Sequence, residues 1–384
     1  LEPAGFGLVT LGSTLVFWFS PVVDAGTEIS KIRDVARRPR EVKTILEPVL
    51  GLRLALSAVA IVLFLPVATL AARSASERHV LWLFALVLPA LAVNLRWMVL
   101  GVGAWKAVAV GNATSQFLFA AGVLLMVTSM DKAPMVPILQ SVGELAYGLV
   151  VWIALARRFE FLRPRLAIAA WGGILRSALP LMVYGFARAV VYFFGIFLIT
   201  LVLGSREAGL YGAALRPVLF LAGALGLFSL SFLASYSASD GDSGRELFHR
   251  SIRASLAITV PIAFVLSATA WTIVPLVYGQ PFTQAAPALA ILAWWIPLLA
   301  LTGPYTNVLV AGHRQGRLLR DNLYAGVFAI VGNLLAVPIA GIVGAAAVTV
   351  ISQLLVLALN HRSSVSFDLA SPILAVFARR VQSL

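Results

Sequence analysis

The sequence contains no cysteine, which excludes disulfide bonds, a thiol nucleophile and a metal centre held by thiolates. Its 4 histidines are scattered over predicted loops and span ends, without an HExxH motif, so no metal ion is expected. The chain also lacks a Walker phosphate loop, a DxD-type sugar-nucleotide motif and paired carboxylates at membrane depth. We therefore expect no cofactor, no direct use of ATP and no enzymatic activity.

Charged residues are scarce throughout the chain. They make up 12% of the 384 residues, and hydrophobic residues make up 60%, whereas a soluble domain holds about 25% and about 45–50% respectively. So much apolar surface cannot be buried in a soluble core and is typical of a protein whose outer surface faces lipid. The composition predicts an all-α fold, a polytopic transmembrane helical bundle.

Apolar runs long enough to cross a bilayer recur along the whole chain, since about 20 predominantly apolar residues make one transmembrane helix. Eleven spans are predicted, at 6–27, 49–72, 80–103, 107–129, 134–156, 177–203, 209–237, 254–278, 285–311, 322–340 and 342–360. The apolar segment 369–378 is too short to span, and we interpret it as an interfacial helix or the start of a further span.

Lys and Arg are distributed unevenly between the loops. Of the 29 such residues, 21 fall in loops on one side of the predicted spans, 4 in loops on the other side, and 4 within spans or at their edges. We call the first side the arginine-rich side and interpret it as cytoplasmic, with the N-terminus outside and the C-terminus inside. Topology thus explains the net charge of +13, and no nucleic acid partner is expected.

Two pairs of similar segments suggest an internal repeat. Ala4-Gly5-Phe6-Gly7-Leu8 resembles Ala208-Gly209-Leu210-Tyr211-Gly212, and the segment 100–106 resembles 310–315. The alternative is chance similarity among helices rich in small residues. A duplication over six spans gives halves of the same orientation, so the repeat predicts two parallel lobes of about six helices. We place an N-terminal lobe at 1–165, with spans 1–5, and a C-terminal lobe at 166–384, with spans 6–11 and the C-terminal segment.

Ionisable side chains at membrane depth are costly, and they usually face a cavity or a partner. Arginines outnumber acids within the spans, which favours an anionic ligand, because guanidinium groups match phosphate oxygens. The candidate substrate-binding residues are Arg96, Arg188, Arg216 and, more weakly, Arg53. The candidate cavity or gating residues are Asp24, Glu28, Glu144 and Asn94.

Structural alternatives exist for these residues. Arg53, Arg188 and Arg216 could extend to the membrane interface, and Arg96 could form a structural ion pair with Glu144. Aromatic side chains within the spans could stack on sugar rings, but packing is the more common role. These aromatic residues are Tyr184, Tyr192, Trp294 and Trp295.

Three stretches of the sequence resemble the polysaccharide flippase family, the Wzx-type O-antigen and exopolysaccharide transporters of the multidrug/oligosaccharidyl-lipid/polysaccharide exporter (MOP) superfamily. The opening Glu2-Pro3-Ala4-Gly5-Phe6-Gly7-Leu8, with Asp24-Ala25-Gly26 and Ile32-Arg33-Asp34-Val35-Ala36-Arg37 after it, is similar to the family's "GPxGFG … DxG … REVAR". The segments 203–211 and 275–282, with 311–315 downstream, are similar to "LG…EAVGLY" and "LFGxxF … ALGRQ".

The resemblance implies a bacterial exporter in the inner, cytoplasmic membrane. It would move an undecaprenyl-diphosphate-linked oligosaccharide by alternating access for surface polysaccharide biosynthesis, with membrane lipids and polysaccharide polymerase or assembly proteins as partners. Family members begin with a helix before the GPxGFG loop, so the resemblance implies that the first helix is missing from this sequence. Many members carry an acid where Phe194 and Gly195 stand, which puts ion coupling at that position in doubt.

Three other functions compete with this interpretation. A multidrug exporter of the same superfamily takes cationic drugs and would need acids in its cavity. A lipid II flippase shares the architecture but usually has further C-terminal helices. A membrane glycosyltransferase or polymerase would need catalytic acids or a large external loop, neither of which the sequence contains.

Overall fold

The computed structural model describes residues 2–28, 31, 35, 41–101, 104–156, 163–238, 241–311 and 314–365, and these ranges are helical and contain no strand. The predicted all-α fold is therefore confirmed. In chain order the helices are α1 Pro3–Asp24, α2 Val42–Ala71, α3 Ala75–Leu83, α4 Val87–Ala92, α5 Arg96–Gly101, α6 Trp105–Met126, α7 Met135–Ala156, α8 Ile168–Val202, α9 Ser205–Ala238, α10 Gly241–Ala268, α11 Ala270–Tyr278, α12 Ala286–Leu292, α13 Trp295–Ala311 and α14 Gln315–Val365.

Each predicted span coincides with a helix or a consecutive group of helices. Within the described part of the chain, nine helical segments are long and apolar enough to cross a membrane. The difference from eleven has two sources: α9 is not among the nine, and the last two predicted spans form one segment, Gly316–Ser364. The predicted short helix at 369–378 and most of the REVAR-like stretch lie outside the described residues.

Several predicted spans are interrupted helices. The third consists of α3, a 3-10 turn at Phe84–Leu86, α4 and α5, and the eighth is divided between α10 and α11. The kink in α14, where Gly341 has φ 57°, falls between the tenth and eleventh predicted spans. A positive φ is accessible to glycine because it has no Cβ. In lipid, irregular backbone is tolerated only where protein or a polar cavity satisfies the freed groups. The interruptions therefore mark candidate places for polar side chains.

The chain divides into two compact units. The first comprises Leu1–Ala189 and Leu203–Gly209, and the second comprises Val190–Val202 and Leu210–Leu384. The predicted domain boundary between residues 165 and 166 stays a prediction.

Each unit has its own apolar core. In the first unit, Leu46, Leu50, Met98 and Val151 belong to one fully buried cluster. In the second, Phe248 packs edge-on against Tyr305, with ring centroids 5.1 Å apart. Large apolar side chains also cover the outside of the helices, which is the arrangement expected of a surface in contact with lipid. Exposed examples are Val62, Leu70, Phe117, Leu124, Leu149, Leu276 and Ile339.

The first unit includes a close helix crossing between the start of α1 and the start of α9. A Cβ added to Gly7 would overlap the Ser205 carbonyl oxygen, and one added to Gly209 would overlap the Pro3 carbonyl oxygen. The backbones therefore touch, as small residues allow in membrane helices. The crossing joins the two segments that the internal repeat aligns.

The substitution Gly209→Ala should destabilise the protein. The added methyl group would force the two backbones apart, and overpacking of this kind costs about 1–3 kcal/mol. Gly172→Ala is a matched control, because an added Cβ there has nothing within 4 Å. Thermal unfolding of the detergent-purified protein should show a lower midpoint for Gly209→Ala alone. Equal midpoints for the two variants would contradict the backbone contact.

Candidate functional site

The candidate site begins at a turn that ends α1. Ala25 adopts a left-handed conformation with φ 51°, and Gly26 follows with φ 70°. The side chain of Asp24 stabilises this turn: its Oδ1 accepts hydrogen bonds from the Glu28 backbone N–H at 3.1 Å and from the Thr27 hydroxyl at 3.2 Å. The turn therefore positions Glu28 directly after the first helix.

A buried arginine holds Asp24 in place. Arg53 of α2 has its Nη1 3.5 Å from Asp24 Oδ1. Its Nη2 donates a hydrogen bond of 3.1 Å to the Leu91 carbonyl oxygen, which lies near the end of α4. The Arg53 side chain is only 6% exposed. Arg53 thus links α1, α2 and α4 and is buried inside the first unit.

Glu28 forms the second ion pair of the site. Arg96, the first residue of α5, donates from Nη2 and Nε to Glu28 Oε1 at 2.6 and 3.1 Å. This pair is more accessible than the first: the Arg96 side chain is 51% exposed and that of Glu28 is 32% exposed.

Asn94 connects Arg96 to α7. Its Oδ1 accepts the Arg96 backbone N–H at 3.1 Å, and its Nδ2 donates to Glu144 Oε2 at 3.1 Å. Asn94 lies in the break between α4 and α5, where a short polar side chain replaces the helical hydrogen bonds of the backbone. The alternative interpretation was an ion pair between Arg96 and Glu144. It is wrong, because Glu28 is the carboxylate that accepts the hydrogen bonds of Arg96.

Arg188 of α8 acts on the same carboxylate from a distance. Burial of Glu28 favours the neutral acid, but the attraction of Arg96, Arg53 and Arg188 outweighs it and lowers the pKa of Glu28. The Arg188 guanidinium lies 5.9 Å from the centre of the Tyr184 ring, within the range of a cation–π contact. Glu28 is therefore ionised at neutral pH, and it lies next to the exposed guanidinium groups of Arg96 and Arg188.

We call these seven residues the charged network. All of them are candidate residues predicted from the sequence, and the structure brings them together within the first unit. They are Asp24, Glu28, Arg53, Asn94, Arg96, Glu144 and Arg188. Three arginines face three carboxyl groups, so the arginine excess expected from the sequence is balanced here. Whether these arginines bind substrate stays a prediction.

The remaining candidates lie elsewhere. Arg216 belongs to the second unit, where Tyr278 is close enough to interact with it electrostatically. Trp295 is fully buried, donates to Gln353 Oε1 at 3.3 Å, and packs edge-on against Tyr192 at 4.9 Å. These two rings therefore have a packing role rather than a sugar-stacking one.

Three parts of the site did not emerge from the sequence: the Thr27 hydroxyl, the Leu91 carbonyl oxygen and Tyr147. Tyr147 lies one turn after Glu144 on α7, so the spacing of the two residues was an available signal. Its hydroxyl is buried and has no hydrogen-bond partner among the described residues. Among those residues there is also no group of three His, Asp or Glu side chains placed to hold a metal ion.

Comparison with solved structures identifies the fold as that of the MOP superfamily transporters. An inward-facing multidrug-resistance MATE transporter matches with a TM-score of 0.66 and 14% identity, over 97% of this chain and 93% of the other. The lipid II flippase MurJ in an inward closed conformation matches with a TM-score of 0.66 and 12% identity, over 93% and 87%. A MOP superfamily transporter from Pyrococcus furiosus, described with a binding pocket of reverse polarity, matches with a TM-score of 0.58 and 14% identity, over 94% and 88%.

The sequence itself carries the family assignment. The model of the family described as "Polysaccharide biosynthesis protein" matches residues 1–233. The chain belongs to this family, and both its family and its fold are those of multi-pass membrane transporters. No curated protein matches the chain.

Two arginines of the network, Arg53 and Arg96, should differ in their structural importance. Arg53→Ala would leave the largely buried Asp24 carboxylate without its cation; breaking a fully buried pair costs about 3–5 kcal/mol, and the 23% exposure of Asp24 places this pair toward or below the lower end. Arg96→Ala would remove an accessible pair, which is worth about 1 kcal/mol or less. Thermal unfolding in detergent should therefore show a much larger drop in midpoint for Arg53→Ala. Similar drops for the two variants would refute the distinction.

Proposed function

We propose that this protein is a flippase that exports undecaprenyl-diphosphate-linked oligosaccharides across the bacterial inner membrane. The units it delivers would serve the synthesis of a surface polysaccharide such as O-antigen or another lipopolysaccharide component. The observation that carries the proposal is the exposed pair of cations, Arg96 and Arg188, around Glu28 in a chain of the polysaccharide biosynthesis family.

The chemistry of a diphosphate suits these residues. A guanidinium group donates in a fork that matches phosphate oxygens, and such charge-assisted hydrogen bonds are stronger than neutral ones. Arg96 and Arg188 would bind the diphosphate, and Arg53 would contribute mainly by holding Asp24. The lipid tail would stay in the bilayer while the transporter opens to each side in turn.

The position of the network along the spans agrees with uptake from the arginine-rich side. Asp24 is the last residue of α1 on that side, Glu28 follows it, and Arg53 lies in the first part of α2, which starts from the same side. Because a lipid-linked precursor is made at the cytoplasmic face, its head group would meet these residues first. The protein would act as a transporter without catalysis, next to polymerase or assembly proteins.

The competing functions make different demands on the same residues. A multidrug exporter would use Glu28 and Glu144 to bind a cation, and the arginines would then be dispensable. A lipid II flippase would need the same diphosphate contacts, since its substrate carries the same lipid anchor. The family match favours polysaccharide precursors over lipid II, because it names polysaccharide biosynthesis.

Export should depend on the exposed arginines. In a host strain lacking its own copy of the gene, Arg96→Ala and Arg188→Ala in the full-length protein should each reduce surface polysaccharide at least about tenfold. This is the effect of losing about 1.4 kcal/mol of head-group binding. Arg206→Ala is the matched control, since this arginine is 54% exposed in an ion pair on the opposite side of the spans.

Surface polysaccharide would be quantified by gel electrophoresis or lectin binding, with membrane protein levels measured in parallel. Normal polymer at normal protein level in both arginine variants would refute the proposed head-group contact. A loss of cell-wall synthesis rather than of surface polymer would favour the lipid II flippase.

A further inference from the structure

The two ion pairs of the charged network are not equivalent. The side chains of Asp24 and Arg53 are 23% and 6% exposed, whereas those of Glu28 and Arg96 are 32% and 51% exposed. Screening by solvent makes accessible pairs weak, while shielded pairs break only at high cost. The first pair is therefore a fixed support, and the second can exchange with a dissolved or membrane-borne ion.

The geometry of the second pair also leaves room for a better ligand. Both Arg96 donors converge on a single oxygen, Glu28 Oε1. The strongest arginine–anion contacts are bidentate, with each donor directed at its own oxygen. A diphosphate has several oxygens and carries more than one negative charge, so it can satisfy both donors separately and attract Arg188 as well.

Glu28 can release Arg96 without unfolding the turn that carries it. The residue is held through its backbone N–H, which donates to Asp24 Oδ1 at 3.1 Å. Asp24 in turn is held by Arg53 and by the Thr27 hydroxyl. None of these contacts uses the Glu28 carboxylate. Only the side-chain torsions of Glu28 need to change when an incoming anion takes its place.

We propose that Glu28 is an exchangeable internal anion that occupies Arg96 until a diphosphate displaces it, and that it thereby sets substrate specificity. This inference rests on the proposed function, because it assumes a diphosphate-bearing substrate. A ligand with a single negative charge can at best replace the Glu28 carboxylate on Arg96, and it brings no additional charge to attract Arg188. A diphosphate gains more, so the Glu28 carboxylate selects against abundant singly charged lipids.

The test compares two ligands that share one hydrocarbon chain. Binding of farnesyl diphosphate and of farnesoate, a singly charged carboxylate, would be measured by isothermal titration calorimetry on the detergent-purified full chain. Glu28→Gln should bind farnesyl diphosphate about fivefold more tightly than the parent protein, since it removes competition from an accessible pair. It should also bind farnesoate measurably, whereas the parent protein should not.

Two further variants serve as controls. Glu207→Gln removes a carboxylate of similar exposure, 30%, from the Arg206 pair, and it should leave both affinities unchanged. Glu28→Asp keeps the charge but shortens the reach to Arg96, and it should tighten diphosphate binding by about twofold. If Glu28→Gln does not fold, Glu28→Asp decides the question.

The outcomes separate the two proposals. If the parent protein binds farnesyl diphosphate, Arg96→Ala abolishes binding and the Glu28 variants bind with unchanged or weaker affinity, the exchange role is refuted while the proposed function stands. If neither the parent protein nor any Glu28 variant binds farnesyl diphosphate, both are refuted. Tighter diphosphate binding together with new farnesoate binding in Glu28→Gln supports the exchange role, which a purely structural ion pair does not predict.

Discussion

The Asp24 carboxylate is the contact on which the rest of the site depends. A charge at membrane depth must find a partner, because isolation from water costs several kcal/mol. Asp24 meets this requirement with Arg53 of α2, and the same carboxylate holds the backbone of the turn after α1. Arg53 also binds the carbonyl oxygen of Leu91. Through Arg53, this carboxylate thus connects α1, α2 and α4, and the turn that it stabilises determines where Glu28 lies.

The more accessible part of the site is built on this support. Glu28 follows the left-handed turn that ends α1, and Arg96, which pairs with it, follows the break at Asn94 in the third span. Both irregularities leave backbone N–H and C=O groups without helical hydrogen-bond partners, and such groups are costly in a lipid environment. Side chains of Asp24 and Asn94 satisfy part of this need. The same polar groups that could receive a charged head group therefore also stabilise the broken helices.

Hydropathy predicted the helices well, since lipid demands long apolar segments and the eleven spans all coincide with helices. It placed the boundary between the last two spans at residue 341, where the structure has the Gly341 kink, but it could not predict the break at Thr269 between α10 and α11, which lies inside an apolar run. Charge at membrane depth identified the members of the network. It could not assign their partners, because the direction of Arg96 depends on the break at Asn94, and Glu144 was the wrong choice.

The start of α9 has a consequence for biosynthesis. Residues 203–209 belong to the first unit, where Gly209 touches the backbone of Pro3. A chain emerging from the ribosome cannot make this contact after 189 residues, although nearly all of the first unit has then been synthesised. Domains generally fold as units in the order of their synthesis. Here the first unit cannot complete its fold until residues 203–209, which follow α8, have been synthesised. During that interval the surface of α1 around Gly7 lacks its contact with the start of α9.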